Sequence, residues 1–337
     1  MIDFRSDTFT KPGPGMLEAM FSAPVGDDVF SEDPSINDLQ DLAADMFKME
    51  AALFCPSGTM TNQIAIKVHT QPGDEVICDI LSHVYIYEGG GIAFNSGCQV
   101  KSIPGDRGRI TAKQVSEAIN PFDIHKAVSR LVSLENTANR GGGSLYNWAD
   151  IQDIKEVCVQ NNLGLHLDGA RLFNAIVATD QSPEDYGKIF DSISVCLSKG
   201  LGAPVGSLLL GKKGFIERAR RVRKVFGGGM RQAGFMAAAG IYALENNVER
   251  LADDHIHALL IGNALMKKDF TGKIMPIETN IIIFEIVGTQ TAASIINKFH
   301  DNDIKAMAIS PSQIRMVLHL DITPQMVKET IDVIDFM

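Results

Sequence analysis

Two residues of this chain have the types and setting that Schiff-base chemistry needs. Asp168 ends the run Leu163-Gly164-Leu165-His166-Leu167-Asp168, and Lys199 lies in the glycine-rich stretch Ser198-Lys199-Gly200-Leu201-Gly202. The alternating apolar residues before Asp168 read as a strand whose carboxyl end delivers a carboxylate to a crevice. A lysine amine condenses with an aldehyde, and a carboxylate keeps a heterocyclic nitrogen protonated so that the ring can take up electrons. The pair together suits pyridoxal phosphate, a reading that neither residue carries alone.

Further residues could complete such a site. Ser57-Gly58-Thr59 follows the apolar run 51–54 and leads into Ile64-Ala65-Ile66. A small, glycine-containing turn that opens a helix exposes backbone N–H groups to a phosphate, although an ordinary helix cap has the same appearance. His83, just beyond a strand pattern, could stack on a flat cofactor or move protons near neutral pH, or could be structural. Arg171 and Arg315 are candidates to grip a substrate carboxylate through bidentate geometry, and a surface ion pair is the alternative for each. Arg140, ahead of Gly141-Gly142-Gly143, has the same two readings. In Gly227-Gly228-Gly229-Met230-Arg231 the arginine could reach an anion, while the glycines serve either a close approach or a hinge.

Composition narrows the classes of function. A formal charge of −10 argues against nonspecific nucleic-acid binding, and the short basic cluster at 218–224 reads as a solvated helix face. No run approaches the ~18 unbroken apolar residues of a membrane helix, and the start Met1-Ile2-Asp3-Phe4-Arg5 lacks a secretory pattern, so a cytoplasmic enzyme is the default expectation. Five scattered cysteines read as reduced, mostly buried thiols, and no zinc motif is present, so no metal site is assigned.

The elements that must position these residues follow from periodicity. Helical spacing predicts helices over 37–49, 111–119, 149–160, 213–225 and 233–244, with strand patterns at 75–79, 100–103, 130–134, 164–168, 192–196 and 206–210. Strands separated by helices predict an α/β fold with a mostly parallel sheet covered on both faces and a site at the strands' carboxyl ends. Strands at 280–285, 304–309 and 315–319 with helices at 291–300 and 323–334 form a smaller α+β unit. The expected organisation is an extended arm over 1–14, a large cofactor-binding domain over 15–245 and a small domain over 246–337.

The assembled motifs are Arg5-Ser6-Asp7-Thr8, Gly26-Asp27-Asp28, Glu32-Asp33-Pro34, Pro56-Ser57-Gly58-Thr59, Glu135-Asn136-Thr137, Asp168-Gly169-Ala170-Arg171, Ser198-Lys199-Gly200-Leu201 and Gly227-Gly228-Gly229-Met230-Arg231-Gln232. In their order and spacing the chain closely resembles the low-specificity L-threonine aldolases of the β-eliminating lyase family, almost from end to end. The resemblance implies the fold type I architecture of pyridoxal-phosphate enzymes, the aspartate-aminotransferase type. It also implies a homo-oligomer, a tetramer built from dimers, with sites shared between subunits. It assigns Lys199 to the Schiff base, Asp168 to the pyridine nitrogen and His83 to stacking over the ring. Ser57, Gly58 and Thr59 would hold the phosphate, with Arg231 reaching it from a neighbouring subunit. Ser6, Arg171 and Arg315 would take the substrate carboxylate, with Arg171 also beside the cofactor. His125 matches a family histidine near the substrate hydroxyl.

The chain departs from the family pattern at Phe30 and Ser31, where tyrosine and glycine are usual, at Lys126 and Ala127 after His125, and at Ala138 in place of a histidine. These changes leave the cofactor residues intact and bear on side-chain preference. The implied reaction is retro-aldol cleavage of L-threonine or L-allo-threonine to glycine and acetaldehyde, with His83, His125 or a water as base. The competing readings are another pyridoxal-phosphate lyase, transaminase or racemase, and a binding protein without turnover. A dehydrogenase lacks its glycine fingerprint here.

Overall fold

A computed structural model describes residues 1–337. After a short opening strand β1 (Ile2–Asp3), the large sheet takes in β2 (Ala51–Cys55), β3 (Asp74–Asp79), β4 (Gln99–Ile103), β5 (Val128–Glu135), β6 (Gly164–Gly169), β7 (Ser192–Cys196) and β8 (Ser207–Gly211). Its spatial order is β2-β8-β7-β6-β5-β3-β4. The β7–β6–β5–β3–β4 pairings are parallel, and β8 runs antiparallel to both of its neighbours. The reversal of β8 has a simple cause. Only residues 197–206 separate β7 from β8, too few for the dozen or more that a parallel crossover needs. That tight return carries Lys199.

The predicted strands and helices of the large unit are present within a few residues, and the sheet is mostly parallel, as predicted. Every residue of β3, β7 and β8 is buried, the pattern of a sheet with helices on both faces. The sequence reading left out α1 (Pro14–Phe21). It did propose α2 (Pro34–Phe47), which Asp33 caps by accepting from the Ile36 amide. Next comes α3 (Gly58–His69), capped by Ser57, whose side chain accepts from the Met60 amide. It buries Thr61, Asn62 and Gln63 alongside its apolar residues. Three adjacent buried polar side chains in one helix must be matched by partners, and those of Asn62 and Gln63 form the site described below.

The smaller unit is a four-stranded antiparallel sheet with the order β12-β13-β10-β9, built from β9 (Thr271–Ile274), β10 (Ile281–Ile286), β12 (Met307–Ser310) and β13 (Gln313–Val317). The strand expected over 304–309 divides at Ala306. Its first part, β11 (Ile304–Lys305), pairs with β1, and only the second joins the sheet. The opening segment, extended at β1, is tied into the small unit. Ile2 and Phe4 are buried in the small unit's core, Val317 donates its amide to the Phe4 carbonyl, and residues Asp7–Phe9 form a 3₁₀ turn. Helix Leu251–Leu265 joins the two cores: Leu251 packs in the large one, and Ala258, Ile261 and Leu265 pack in the small one. All five cysteines are free and buried. No helix is long and apolar enough to cross a membrane.

Candidate active site

Glu135 and Asp168 are register partners at the carboxyl ends of β5 and β6, so both side chains leave the same face of the sheet. Both are buried. Asp168 accepts from Asn62 Nδ2 at 2.9 Å through Oδ2 and from the Ala170 amide at 3.1 Å through Oδ1. Glu135 accepts from the His83 amide at 2.9 Å and the Asn139 amide at 2.8 Å. Burial, reinforced by the nearby Asp168 charge, outweighs these bonds and pushes the Glu135 carboxyl up to about 7.

His83 opens the short helix α4 (His83–Ile86) just past β3, with Nδ1 3.0 Å from Glu88 Oε1. Burial works against a charged imidazole. The Glu88 hydrogen bond and the Asp168, Glu88 and Glu135 charges overcome it and raise His83 above the ordinary histidine value. Glu88 also accepts from Asn62 Nδ2 at 2.9 Å and Gln63 Nε2 at 2.6 Å. Asn62 thus gives its amide protons to two carboxylates, while its Oδ1 accepts from His166 Nε2 at 3.1 Å. The chain of bonds continues from His166 Nδ1 to Ser192 Oγ and on to His69 Nε2, each step 2.8 Å. Burial drives His166 down to about 3 and His69 down to about 4, so both rings are neutral at physiological pH.

Lys199 is fixed at its backbone by Thr10, whose hydroxyl donates to the Lys199 carbonyl at 3.0 Å. Its Nζ lies 3.3 Å from Cys196 Sγ. The same sulfur explains the glycine at position 58, because a Cβ there would fall 2.5 Å from Cys196 Sγ. Glycine lets the amino end of α3, with Ser57 and Thr59 exposed, come up beside the lysine loop.

The arginines divide. Arg171, expected to grip substrate, is buried and bidentate to Asp7, with Nε and Nη2 each 2.7 Å from a carboxylate oxygen. Burial would raise Asp7, yet Arg171, with Lys199 and Arg315, holds it down at about 2. Two of the guanidinium's donors are thus committed to a neighbour within the chain, which makes Arg171 first a structural partner of Asp7. Ser6, the residue before Asp7, caps the 3₁₀ turn by accepting from the Thr8 amide and hydroxyl. Arg315, on β13 of the small unit, donates from Nη2 to Asn139 Oδ1 at 2.8 Å. Its Nε is buried without a hydrogen-bond partner, and desolvation together with the Arg171 charge lowers its pKa to about 10. Arg140 lies near enough to add to that effect and forms no ion pair.

One expected residue is not brought to this end of the sheet in its own chain, and a second is committed elsewhere. His125 sits in the exposed loop before β5, its side chain 84% exposed and bonded to Asp123. Glu135, which holds His83, closes that eight-residue strand, so the two histidines lie at opposite ends of about 25 Å of strand. Arg231 is half exposed and pairs with Asp27 at 2.8 Å. The glycines before it provide a close approach, since a Cβ at Gly228 would collide with Met60. The basic cluster is only partly a solvated face, because Arg223 is buried and bonded to Asp28 and the Phe54 carbonyl, both at 2.6 Å.

Sequence reasoning assigned no role to Asn62, Glu88, Glu135 or Asp7. Glu135 and Asp7 stand inside motifs it did single out, and the buried-face polar pair Asn62 and Gln63 in α3 was the available signal for the others.

The residues present fit pyridoxal phosphate. Asp168, Glu88 and Glu135 gather buried carboxyl groups beside which a protonated ring nitrogen would be favoured, and Gly58 leaves the amino end of α3 close to Lys199. The unpartnered Arg315 Nε calls for an acceptor of the kind a substrate carboxylate provides.

Comparison with known proteins agrees with this geometry. Residues 3–287 match the Beta-eliminating lyase family. The chain is 43% identical over 330 residues to a low specificity L-threonine aldolase of Escherichia coli (strain K12), covering 98% of this chain and 97% of that protein. It is 39% identical to low-specificity L-threonine aldolase 1 of Arabidopsis thaliana, covering 98% and 94%. In fold it is similar to the solved Leishmania major threonine aldolase, with a TM-score of 0.87 at 20% identity, covering 100% of this chain and 99% of the other. On this sequence match, carried across nearly its whole length, the chain belongs to the Beta-eliminating lyase family.

Proposed function

We propose that this protein is a pyridoxal-phosphate-dependent aldehyde-lyase that cleaves L-threonine and L-allo-threonine to glycine and acetaldehyde. The observation that carries the reading is that the buried Asp168 carboxylate ends a strand next to the one that Lys199 follows, while the charges of Lys199 and of Arg315, with its unpartnered Nε, both act on Asp7. The similarity to curated low-specificity L-threonine aldolases supports it.

When bound, pyridoxal phosphate supplies an aldehyde for Lys199 and the substrate amine, and a ring that accepts the electrons of the breaking Cα–Cβ bond. The protein's own residues do the rest. Ser57, Gly58 and Thr59 would hold the phosphate at the amino end of α3, and Asp168 would keep the ring nitrogen protonated. Arg315 Nε, with Ser6 and Arg171, which meet through Asp7, would hold the substrate carboxylate and so set the orientation of the bond to be broken. His83 takes the β-hydroxyl proton at Nε2, the ring nitrogen that Glu88 leaves free.

His125, remote from this end of the sheet in its own chain, and Arg231, whose exposed side chain pairs with Asp27, serve the site of a second copy in a homo-oligomer. The fully exposed Phe122 and Ile124 beside His125 support a covered interface there. The buried free thiols accord with a cytoplasmic setting. The test is an absorption spectrum of the purified protein followed by product analysis with both threonine diastereomers. Glycine with acetaldehyde is the expected result; 2-oxobutanoate and ammonia would instead identify β-elimination. Lys199→Ala should abolish the Schiff-base absorption band, and a retained band would remove the lysine assignment.

A further inference from the structure

The structure points to a role for Glu88 that rests on the reading of His83 as the base: we propose that Glu88 is the positioning residue that fixes the His83 tautomer. An ionised carboxylate only accepts hydrogen bonds. The 3.0 Å contact between Glu88 Oε1 and His83 Nδ1 therefore places the imidazole proton on Nδ1 and leaves the lone pair on Nε2. The neutral ring then presents its basic nitrogen away from Glu88.

Glu88 is itself held so that it cannot turn away. Its side chain is fully buried, Gln63 donates to Oε2, and Asn62 donates to Oε1. Asn62 cannot flip to serve another purpose, because its Oδ1 is bonded to His166 and its other amide proton goes to Asp168. One amide thereby sets the distance between the carboxylate that orients the base and the carboxylate that serves the ring. The groups facing His83 are Glu88 on its own segment, Asp168 at the end of β6, Glu135 at the end of β5 and Tyr87, whose ring centroid is 5.8 Å away. Glu88 is the one among them bonded to the imidazole. Removing its charge lowers the His83 pKa relative to the native protein, so the base stays unprotonated to lower pH.

Histidine-selective ¹⁵N NMR on the full-length protein, with and without cofactor, reads the tautomer directly. His83→Gln supplies the assignment. The expected result in the native protein is a protonated Nδ1 and an unprotonated Nε2 in the neutral ring. In Glu88→Gln an amide can donate to Nδ1, so the tautomer should invert. The acidic limb of kcat against pH should move down by about one unit, and the plateau kcat should fall by about 10²-fold. Glu88→Asp, which keeps the charge, should retain the native tautomer and covers the case in which the glutamine variant does not fold. A native Nε2–H tautomer, or a glutamine variant with unchanged tautomer and acidic limb, would overturn the assignment. A protein that failed to cleave threonine would instead defeat the proposed function and leave the tautomer result standing.

Discussion

At the scale of single residues, the site separates groups that look alike in sequence. Arg171 and Arg315 are both buried, but Asp7 satisfies the first while the Nε of the second has no partner. A buried unsatisfied donor is costly unless a ligand completes it. Arg315→Gln should therefore act mainly on substrate binding. A charge-assisted bond is worth about 1.5–3 kcal/mol, so KM should rise by roughly 10- to 100-fold with a smaller change in kcat. Steady-state kinetics with L-threonine checks this, and an unchanged KM would remove Arg315 from the carboxylate site. The Arg171–Asp7 pair belongs to a different problem. Breaking it would leave a charge uncompensated in the interior, so substitutions there report on folding as well as function.

At the scale of elements, α3 and the strand ends β6 and β7 share one line of polar bonds, running from Asp168 through Asn62, His166 and Ser192 to His69. The two histidines are neutral in the folded protein, with pKa values depressed to about 3 and about 4. Unfolded histidine takes up its proton near pH 6.5. Their stabilising contribution is thus complete above that pH and is lost as pH falls toward the folded values. Each should remove roughly 2 kcal/mol by pH 5. Denaturant unfolding from pH 7 to pH 5 should show a loss of stability that is smaller in His166→Gln, measured against its own stability at pH 7. An identical pH slope in the variant would show that His166 is not buried neutral. The return between β7 and β8 makes a related point. Its short length forces an antiparallel strand, and the same constraint holds Lys199 at the carboxyl end of β7.

At the scale of the whole molecule, the small unit reaches the large one through Arg315, which donates to Asn139, and the opening segment ties the two together. Ile2 and Phe4 pack in the small core, while Asp7 three residues later pairs with Arg171 of the large one. The proposed division into 1–14, 15–245 and 246–337 describes the chain order, with helix Leu251–Leu265 joining the two cores. His125 gives the prediction at this scale. If its loop serves the site of a second copy, Lys199→Ala and His125→Ala chains, each nearly inactive, should regain activity when mixed and reassembled. Random pairing yields one competent site in about a quarter of positions, so about a quarter of native activity is expected. No recovery on mixing would show that His125 does not act across an interface.

Much of this was legible in the sequence. Period-2 and period-3.6 patterns located most strands and helices, and Asp168, Lys199, Gly58 and His83 stood out because their chemistry is tied to local motifs. Local pattern also misled where pairing partners matter: 304–309 reads as one strand but divides between two sheets, the first part pairing with β1 of the extended opening segment. The remainder depends on distant chain segments meeting. Asn62, Glu88 and Asp168 are far apart in sequence, and nothing in any one segment says that a single amide will bridge two carboxylates. Arg171 and Arg315 likewise differ only in what surrounds them. The sequence by itself determined the kind of chemistry and the order of the elements, because residue type and hydrophobic period are local properties. Only the tertiary structure decided which groups are satisfied and which are left to bind, because hydrogen bonding and desolvation depend on neighbours that the fold brings together.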